Sequence, residues 1–172
     1  MRTKLKNVVV FVCVLCFMAC SSDDDNSDSD LGPEGTWLLT SLSVETAFDF
    51  NTDGTATRDL FEETPCYDGD FVSFESEGEA RVVSALTFIS PNVISATDYS
   101  YDFECLTGFD VETNWSQSGN TVTIQLQGND VFGTITGNTL TVFIPNFFQM
   151  ELYNGTDYYD VTEDVTLIYI KE

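Results

Sequence analysis

The sequence predicts an all-β fold, an up-and-down antiparallel β-barrel of about eight strands that occupies residues 32–172. From residue 32 onward, apolar and polar side chains alternate with the period of two that separates the two faces of a strand. Residues that favour tight turns, such as Gly-Asn, recur at short intervals between these segments. The helical period is almost absent, and the one helical turn we expect lies at 58–63, before Pro65.

Four segments carry the alternation most clearly. In 121–127, Val122, Ile124 and Leu126 share one face, while Thr and Gln side chains share the other. The segments 99–103, 139–144 and 165–170 follow the same rule. Turn residues separate the predicted strands at 77–79, 118–120, 128–130, 137–138 and 154–155. Because short hairpins pair each strand with the next, this spacing indicates a meander that closes on itself.

Residues 1–19 have the pattern of a bacterial signal peptide. Three cations in the first six residues precede an unbroken apolar run at 8–19, which is too short to span a bilayer. The run ends in the residues Phe-Met-Ala-Cys at 17–20, which resemble a lipobox with a small residue before the lipidated cysteine. We therefore expect cleavage after residue 19 and a lipid anchor on Cys20. The alternative is an ordinary signal peptide cleaved elsewhere, with an incidental cysteine.

Residues 20–31 predict an acidic linker between the lipidated cysteine and the barrel. After Cys20 the segment is almost wholly Ser, Asp and Asn until Leu31, so it has nothing to bury and is expected to be disordered. An acidic run directly after a lipidated cysteine resembles the export signal of Bacteroidetes lipoproteins that face outward from the outer membrane. The resemblance implies an outer-membrane lipoprotein at the cell surface. A plain linker on a periplasm-facing lipoprotein is the alternative.

The charge balance and the absence of histidine exclude several classes of function. Six Lys and Arg residues stand against 29 Asp and Glu residues, and only Arg58, Arg81 and Lys171 lie beyond the leader. Such a surface repels phosphate backbones, so we expect no nucleic-acid partner. Without histidine, Ser-His-Asp triads, Cys-His dyads and the usual zinc and copper sites are ruled out.

No catalytic residues are predicted. The sequence has neither a Gly-rich phosphate loop nor a G-x-S-x-G nucleophile elbow. A surface glycosidase stays open only because paired carboxylates follow no spacing rule and are expected by chance among so many acids. We therefore expect a protein without enzymatic activity.

The five cysteines reduce to one predicted disulfide. Cys13 and Cys16 leave with the leader and Cys20 takes the lipid, so Cys66 and Cys105 remain as an even pair in an oxidising compartment. A bridge across a loop of this length contributes about 4 kcal/mol in the chain-entropy model. A pair of buried free thiols is the alternative.

The segment 49–60 resembles the first part of a calcium-binding loop. The pattern D-x-N-x-D-G brings alternate side-chain oxygens to one centre, and Gly54 permits the sharp turn between them. It departs from the full loop at its twelfth position, where Leu60 replaces the usual Glu. A structural calcium ion is predicted, and an ordinary β-turn is the alternative. The candidate ligands are Asp49, Asn51, Asp53, Thr55 and Asp59.

The barrel domain as a whole resembles the lipocalins. Its opening, Leu-Gly-Pro-Glu-Gly-Thr-Trp at 31–37, resembles the G-x-W motif of the first lipocalin strand. The order of segments downstream, ending in a last strand at Lys171, is similar to the lipocalin-like lipoproteins of Bacteroidetes. The resemblance implies that Trp37 plugs one end of the barrel. Lipocalins pack a late arginine across this tryptophan, and here only Lys171 is available.

The resemblance also implies a function. It predicts a lipid-anchored cell-envelope protein whose barrel binds a small apolar or amphipathic ligand. Alternation looks the same in a hollow and in a filled barrel. The second hypothesis is therefore a structural or interaction subunit of an envelope complex, with a barrel filled by its own side chains.

Overall fold

The computed structural model describes residues 32–172, which form a closed antiparallel barrel of eight strands with one additional strand. The predicted fold class is confirmed. The predicted signal peptide, the lipidation site Cys20 and the acidic linker up to residue 31 lie outside the described residues. The strands are β1 (Gly35–Phe48), β2 (Thr57–Asp59), β3 (Phe71–Phe74), β4 (Glu79–Ser95), β5 (Asp98–Ser118), β6 (Thr121–Leu126), β7 (Asn129–Thr136), β8 (Thr139–Tyr153) and β9 (Tyr158–Lys171).

The barrel closes because β1 pairs with two strands at once. From β3 to β9, each strand pairs antiparallel with the next along the chain, as in a meander. The beginning of β1 pairs with β3, and the same strand also pairs with β9, with Trp37 opposite Lys171. The short strand β2 is the additional one and pairs only with β1.

Within residues 32–172, helical structure is confined to the connection between β2 and β3 and to one turn before β4. The helical turn expected at 58–63 is the helix α1 (Leu60–Glu63), and Asp59 caps it by accepting a hydrogen bond from the Phe61 amide. Short 3₁₀ turns follow at Pro65–Tyr67 and Ser76–Gly78.

Apolar side chains from β1, β3, β4, β6, β8 and β9 are fully buried inside the barrel. Val122 and Ile124 on β6 are buried as their alternation predicts. The largest completely buried side chains are Trp37, Tyr67, Phe74, Leu60, Ile89 and Leu140. On β5, by contrast, the inward residues Phe103, Phe109 and Val111 are only half-buried.

The exposure of β5 follows from the unequal lengths of the hairpins. The β6–β7 hairpin turns at Gln127 and Gly128, so β5 pairs with β6 only from Trp115 to Ser118. The β4–β5 and β8–β9 hairpins extend much further along the barrel. Above the short hairpin, β4 and β8 approach each other across the barrel, with Cα atoms within 8 Å although they are not neighbours in the sheet.

Candidate functional site

The predicted disulfide is present. Cys66, in the first 3₁₀ turn, is bonded to Cys105 on β5, and their Cα atoms lie 5.2 Å apart. The prediction of a bridge is confirmed over the alternative of two free thiols. The bridge fastens the connection before β3 to the middle of β5.

A buried carboxylate lies next to this bridge, at an irregularity of the sheet. Between β4 and β5 the register shifts at Ser84–Leu86, and Gly108 lies opposite the shift. A Cβ atom at Gly108 would lie 1.8 Å from the Ser84 carbonyl oxygen, so only glycine fits there. The Ala85 amide donates to both carboxylate oxygens of Asp70, at 3.0 and 2.9 Å. Asp70 therefore supplies the acceptor for the amide at the bulge.

Burial changes the acid–base behaviour of this region. Asp70 is 5% exposed, and this burial raises its pKa to about 6, against the opposing effect of the Ala85 hydrogen bonds. Burial also raises the pKa of Tyr67 to about 12, and that of Tyr169 rises for the same reason. Asp70 and the two phenols form a polar cluster inside the apolar core. Sequence reasoning did not single out Asp70 as a buried acid, because the bulge that it serves is created by long-range pairing.

The predicted plug Trp37 lies at the end of the barrel where β1 begins. Its side chain is completely buried, and its indole N–H donates to the Pro33 carbonyl oxygen at 2.7 Å. The Lys171 ammonium lies 5.4 Å from the centre of the indole ring and donates to the Gly32 carbonyl oxygen. A lysine thus occupies the position across the tryptophan. The role of Trp37 as a barrel-end plug stays a prediction.

The predicted calcium loop is exposed, and its acidic groups are engaged in local hydrogen bonds. The Asp49 carboxylate accepts from the Gly54 amide, the Asn51 side chain from the Asp53 amide, and the Asp53 carboxylate from the Thr55 amide. Within residues 32–172, no group of three or more His, Cys, Asp or Glu side chains is arranged to hold a metal ion. The calcium site stays a prediction.

Asp59, the last predicted calcium ligand, has a second structural role besides capping α1. Its Oδ1 atom accepts from the Leu42 amide at 2.9 Å, which joins α1 to β1. Two further carboxylates are buried, Glu63, which the sequence offered as an alternative to Asp59 for closing the loop, and Glu163, which it did not single out. Glu63 accepts from the Phe50 and Asn51 amides, and Glu163 accepts from the Glu45 and Thr46 amides. Each satisfies amides that the ladder leaves without partners, so their role is structural.

A continuous run of aromatic rings lines the other end of the barrel. Neighbouring ring centroids are 4.9 to 6.1 Å apart along the whole run. At its outer end, Tyr99 and Tyr158 are 40% and 54% exposed. The Tyr101 hydroxyl lies 3.3 Å from both the amide nitrogen and the carbonyl oxygen of Tyr153, which links β5 to β8. The run consists of Phe103, Phe50, Phe48, Tyr101, Tyr99, Tyr153 and Tyr158.

Two open grooves occur among the described residues. One, of about 650 Å³, lies along β4 and β5 and is lined mainly by polar side chains, including Glu77 and Glu112. The other, of about 170 Å³, lies beside Trp115.

Comparisons with known proteins found no match to any family model, any curated protein or any solved structure. Among the residues described here, no helix is long and apolar enough to cross a membrane.

Proposed function

We propose that this chain is a lipid-anchored protein of the cell envelope that acts as a non-catalytic interaction module, built on a lipocalin-like barrel filled by its own side chains. The observation that carries the proposal is the packing of the interior. Trp37, Ile89 and Leu140 reach zero exposure from different sides of the barrel. A pocket for a small ligand needs open, mostly apolar volume, whereas the two open grooves are lined mainly by polar side chains.

The approach of β4 to β8 supports the same proposal. Two walls of a hollow barrel are separated by the ligand and its solvent, whereas here their Cα atoms come within 8 Å. The β8–β9 turn also meets the β4–β5 turn, since a Cβ atom at Gly155 would lie 3.1 Å from the Ala96 carbonyl oxygen. A filled barrel leaves its outer surface as the place where binding occurs.

The anchor and the localisation are part of the proposal and rest on the sequence. The apolar leader, the lipobox-like residues before Cys20 and the acidic linker support an outer-membrane lipoprotein exposed at the cell surface. A linker of Ser, Asp and Asn gives the barrel freedom to reach partners away from the membrane. Metabolic labelling with a radioactive fatty acid tests the anchor, because a Cys20→Ser variant should lose the label.

An apolar fluorescent probe tests the filled barrel. The chain from residue 20 onward should give no saturable increase in emission that a competing fatty acid displaces. A hollow lipocalin barrel serves as the positive control for the probe. Saturable, displaceable binding by this chain would contradict the proposal.

A small apolar or amphipathic ligand is the second candidate, and the aromatic run favours it. The rings of Tyr99 and Tyr158 remain accessible where the run reaches the surface. If the probe does bind, Tyr99→Ala should weaken the binding, while Phe132→Ala, on the outer face of β7, should leave it unchanged.

A further inference from the structure

The longest strand of the barrel has one edge without a partner. β5 runs from Asp98 to Ser118, and it pairs with β4 along almost its whole length. On its other side, within the described residues, it pairs with β6 only from Trp115 onward. Its remaining backbone groups on that side face no neighbouring strand. A free edge of this kind can add a strand from another chain through backbone hydrogen bonds.

The facing edge of β8 is not equivalent. β8 pairs with β7 only from Thr139 to Val142, but Pro145 then interrupts its set of amide donors. The link from Tyr101 further occupies the backbone of Tyr153. The unpaired part of β5 contains no proline. Of the two edges, β5 is the one that can accept a strand.

The side chains of β5 indicate which strand would fit. Its inward positions carry half-buried apolar groups, among them Phe103, Phe109 and Val111. Its outward positions carry the exposed carboxylates of Asp102, Glu104, Asp110 and Glu112. Arg81, which forms a bidentate pair with Asp110, is the one cation that forms an ion pair in residues 32–172. The outward row therefore keeps an excess of negative charge.

We propose that the free edge of β5 binds an extended segment of a partner protein, in which basic and apolar residues alternate, as an added strand. Basic residues of that segment would lie beside Glu104 and Glu112 on the outer face. Its apolar residues would cover the half-buried side chains on the inner face, such as Phe103 and Phe109. The inference rests on the proposed function, because it names the kind of partner that the interaction module takes.

Charge also disfavours the other occupants. A second copy pairing through the same edge would place carboxylate rows side by side, and like charges on neighbouring strands are destabilising. Residues 20–31 of the chain contain acidic and no basic side chains, so they lack the same complementarity. Carboxylates and the bulge at Gly108 thus protect the edge against self-association without closing it to a basic segment.

The disulfide holds the edge strand in the conformation that binding requires. Cys105 lies in the unpaired part of β5, and its bond to Cys66 fastens the strand to the body of the barrel. An edge held in the extended conformation loses little conformational entropy when a partner strand is added.

Hydrogen–deuterium exchange and peptide titration test this inference on the chain from residue 20 onward. The probe is a short peptide of alternating lysine and valine, compared with a peptide of alternating glutamate and valine and with a peptide in which the lysines and valines are segregated. The alternating basic peptide should bind, and it should slow amide exchange within 98–114. The other two peptides should bind at least about tenfold more weakly, because one has the wrong charge and the other the wrong alternation.

Charge reversal supplies the matched variants. Glu104→Lys with Glu112→Lys should weaken binding of the basic peptide at least about tenfold, because attraction becomes repulsion on the outer face. Asp130→Lys with Asp160→Lys changes the net charge equally on other strands, and it should alter binding less than about threefold. Circular dichroism establishes that both variants are folded.

Three outcomes would overturn the inference. Slowed exchange elsewhere than in β5 would place the peptide on another surface. Equal affinity for the segregated peptide would mean that net charge alone, and not strand pairing, accounts for the binding. Protection, before any peptide is added, of those amides in 98–114 that do not bond to β4 would mean that the edge is already occupied. Dependence of that protection on protein concentration would identify a second copy, and independence would identify the chain's own residues 20–31. Binding of the apolar fluorescent probe tests the proposed function independently, because it reports on the barrel interior and not on this edge.

Discussion

Replacing Asp70 with asparagine should change the pH dependence of stability. Burial raises the pKa of Asp70 from an ordinary value of 3.8 to about 6 in the folded chain, so the ionised form is disfavoured there. The pKa of Asp70 is higher in the folded state than in the unfolded state, so its protonated form stabilises the fold. This stabilisation is fully present below pH 3.8 and is lost as the pH rises through about 6. The difference between the two values corresponds to about 3 kcal/mol in the free energy of unfolding.

Urea denaturation between about pH 4 and pH 8 measures this contribution. Relief of repulsion among the acidic groups also stabilises the protein at low pH, so the informative quantity is the difference between the wild type and Asp70→Asn. The variant keeps an oxygen that accepts from the Ala85 amide but cannot ionise. Its free energy of unfolding should therefore fall less steeply with rising pH, by up to about 3 kcal/mol over the range.

A nearby exposed acid provides the control for the loss of one negative charge. Asp68 lies two residues away and is exposed, so Asp68→Asn should leave the pH dependence close to that of the wild type. Parallel curves for the wild type and Asp70→Asn would refute the reasoning, because they would mean that Asp70 ionises equally well in both states.

Three further predictions concern the bridge, the bulge and the acidic loop. Replacing Cys66 and Cys105 together with alanine should lower the free energy of unfolding by about 4 kcal/mol relative to the oxidised wild type, as measured in urea, and reducing the wild type should cost a similar amount. Gly108→Ala should cost more than about 3 kcal/mol or prevent folding, because its Cβ would meet backbone atoms. Gly133→Ala, whose Cβ would meet only side chains, should cost less, and equal costs would argue against the bulge. Calorimetric titration of the chelator-treated chain with calcium should release or absorb heat and raise the melting temperature; Asp53→Ala should abolish both effects, and no response at millimolar calcium would end the hypothesis.

The period-two pattern predicted the fold class because each strand has one face in the core and one face toward solvent, so apolar and polar residues alternate along it. Val122 and Ile124 face the core, and Thr123 between them faces outward, so β6 was recognisable from local sequence. β5 was harder to delimit. Only 99–103 showed a clear pattern, whereas the strand runs from Asp98 to Ser118. The bulge at Gly108 interrupts the pairing of β5 with β4, and half-exposed positions weaken the contrast between the faces.

The candidate sites also differ in whether local sequence or long-range pairing determines them. The disulfide could be predicted because the predicted leader and lipidation of Cys20 leave two cysteines. Asp70 could not, because its partner amide is 15 residues away and is available only once β4 and β5 have paired. The free edge of β5 depends on the lengths of three hairpins relative to one another, which the periodicity of single segments does not determine.

The proposed filled interior and the proposed docking edge have one geometric origin. Because the β6–β7 hairpin ends at Gln127 and Gly128, the longer hairpins continue beyond it without a wall between them. Their inner faces can then reduce exposed apolar surface by closing onto each other, which brings β4 within 8 Å of β8. The same missing wall leaves one side of β5 unpaired within the described residues. A longer β6–β7 hairpin would complete the wall and keep β4 and β8 apart, so both proposals depend on the shortness of this one hairpin.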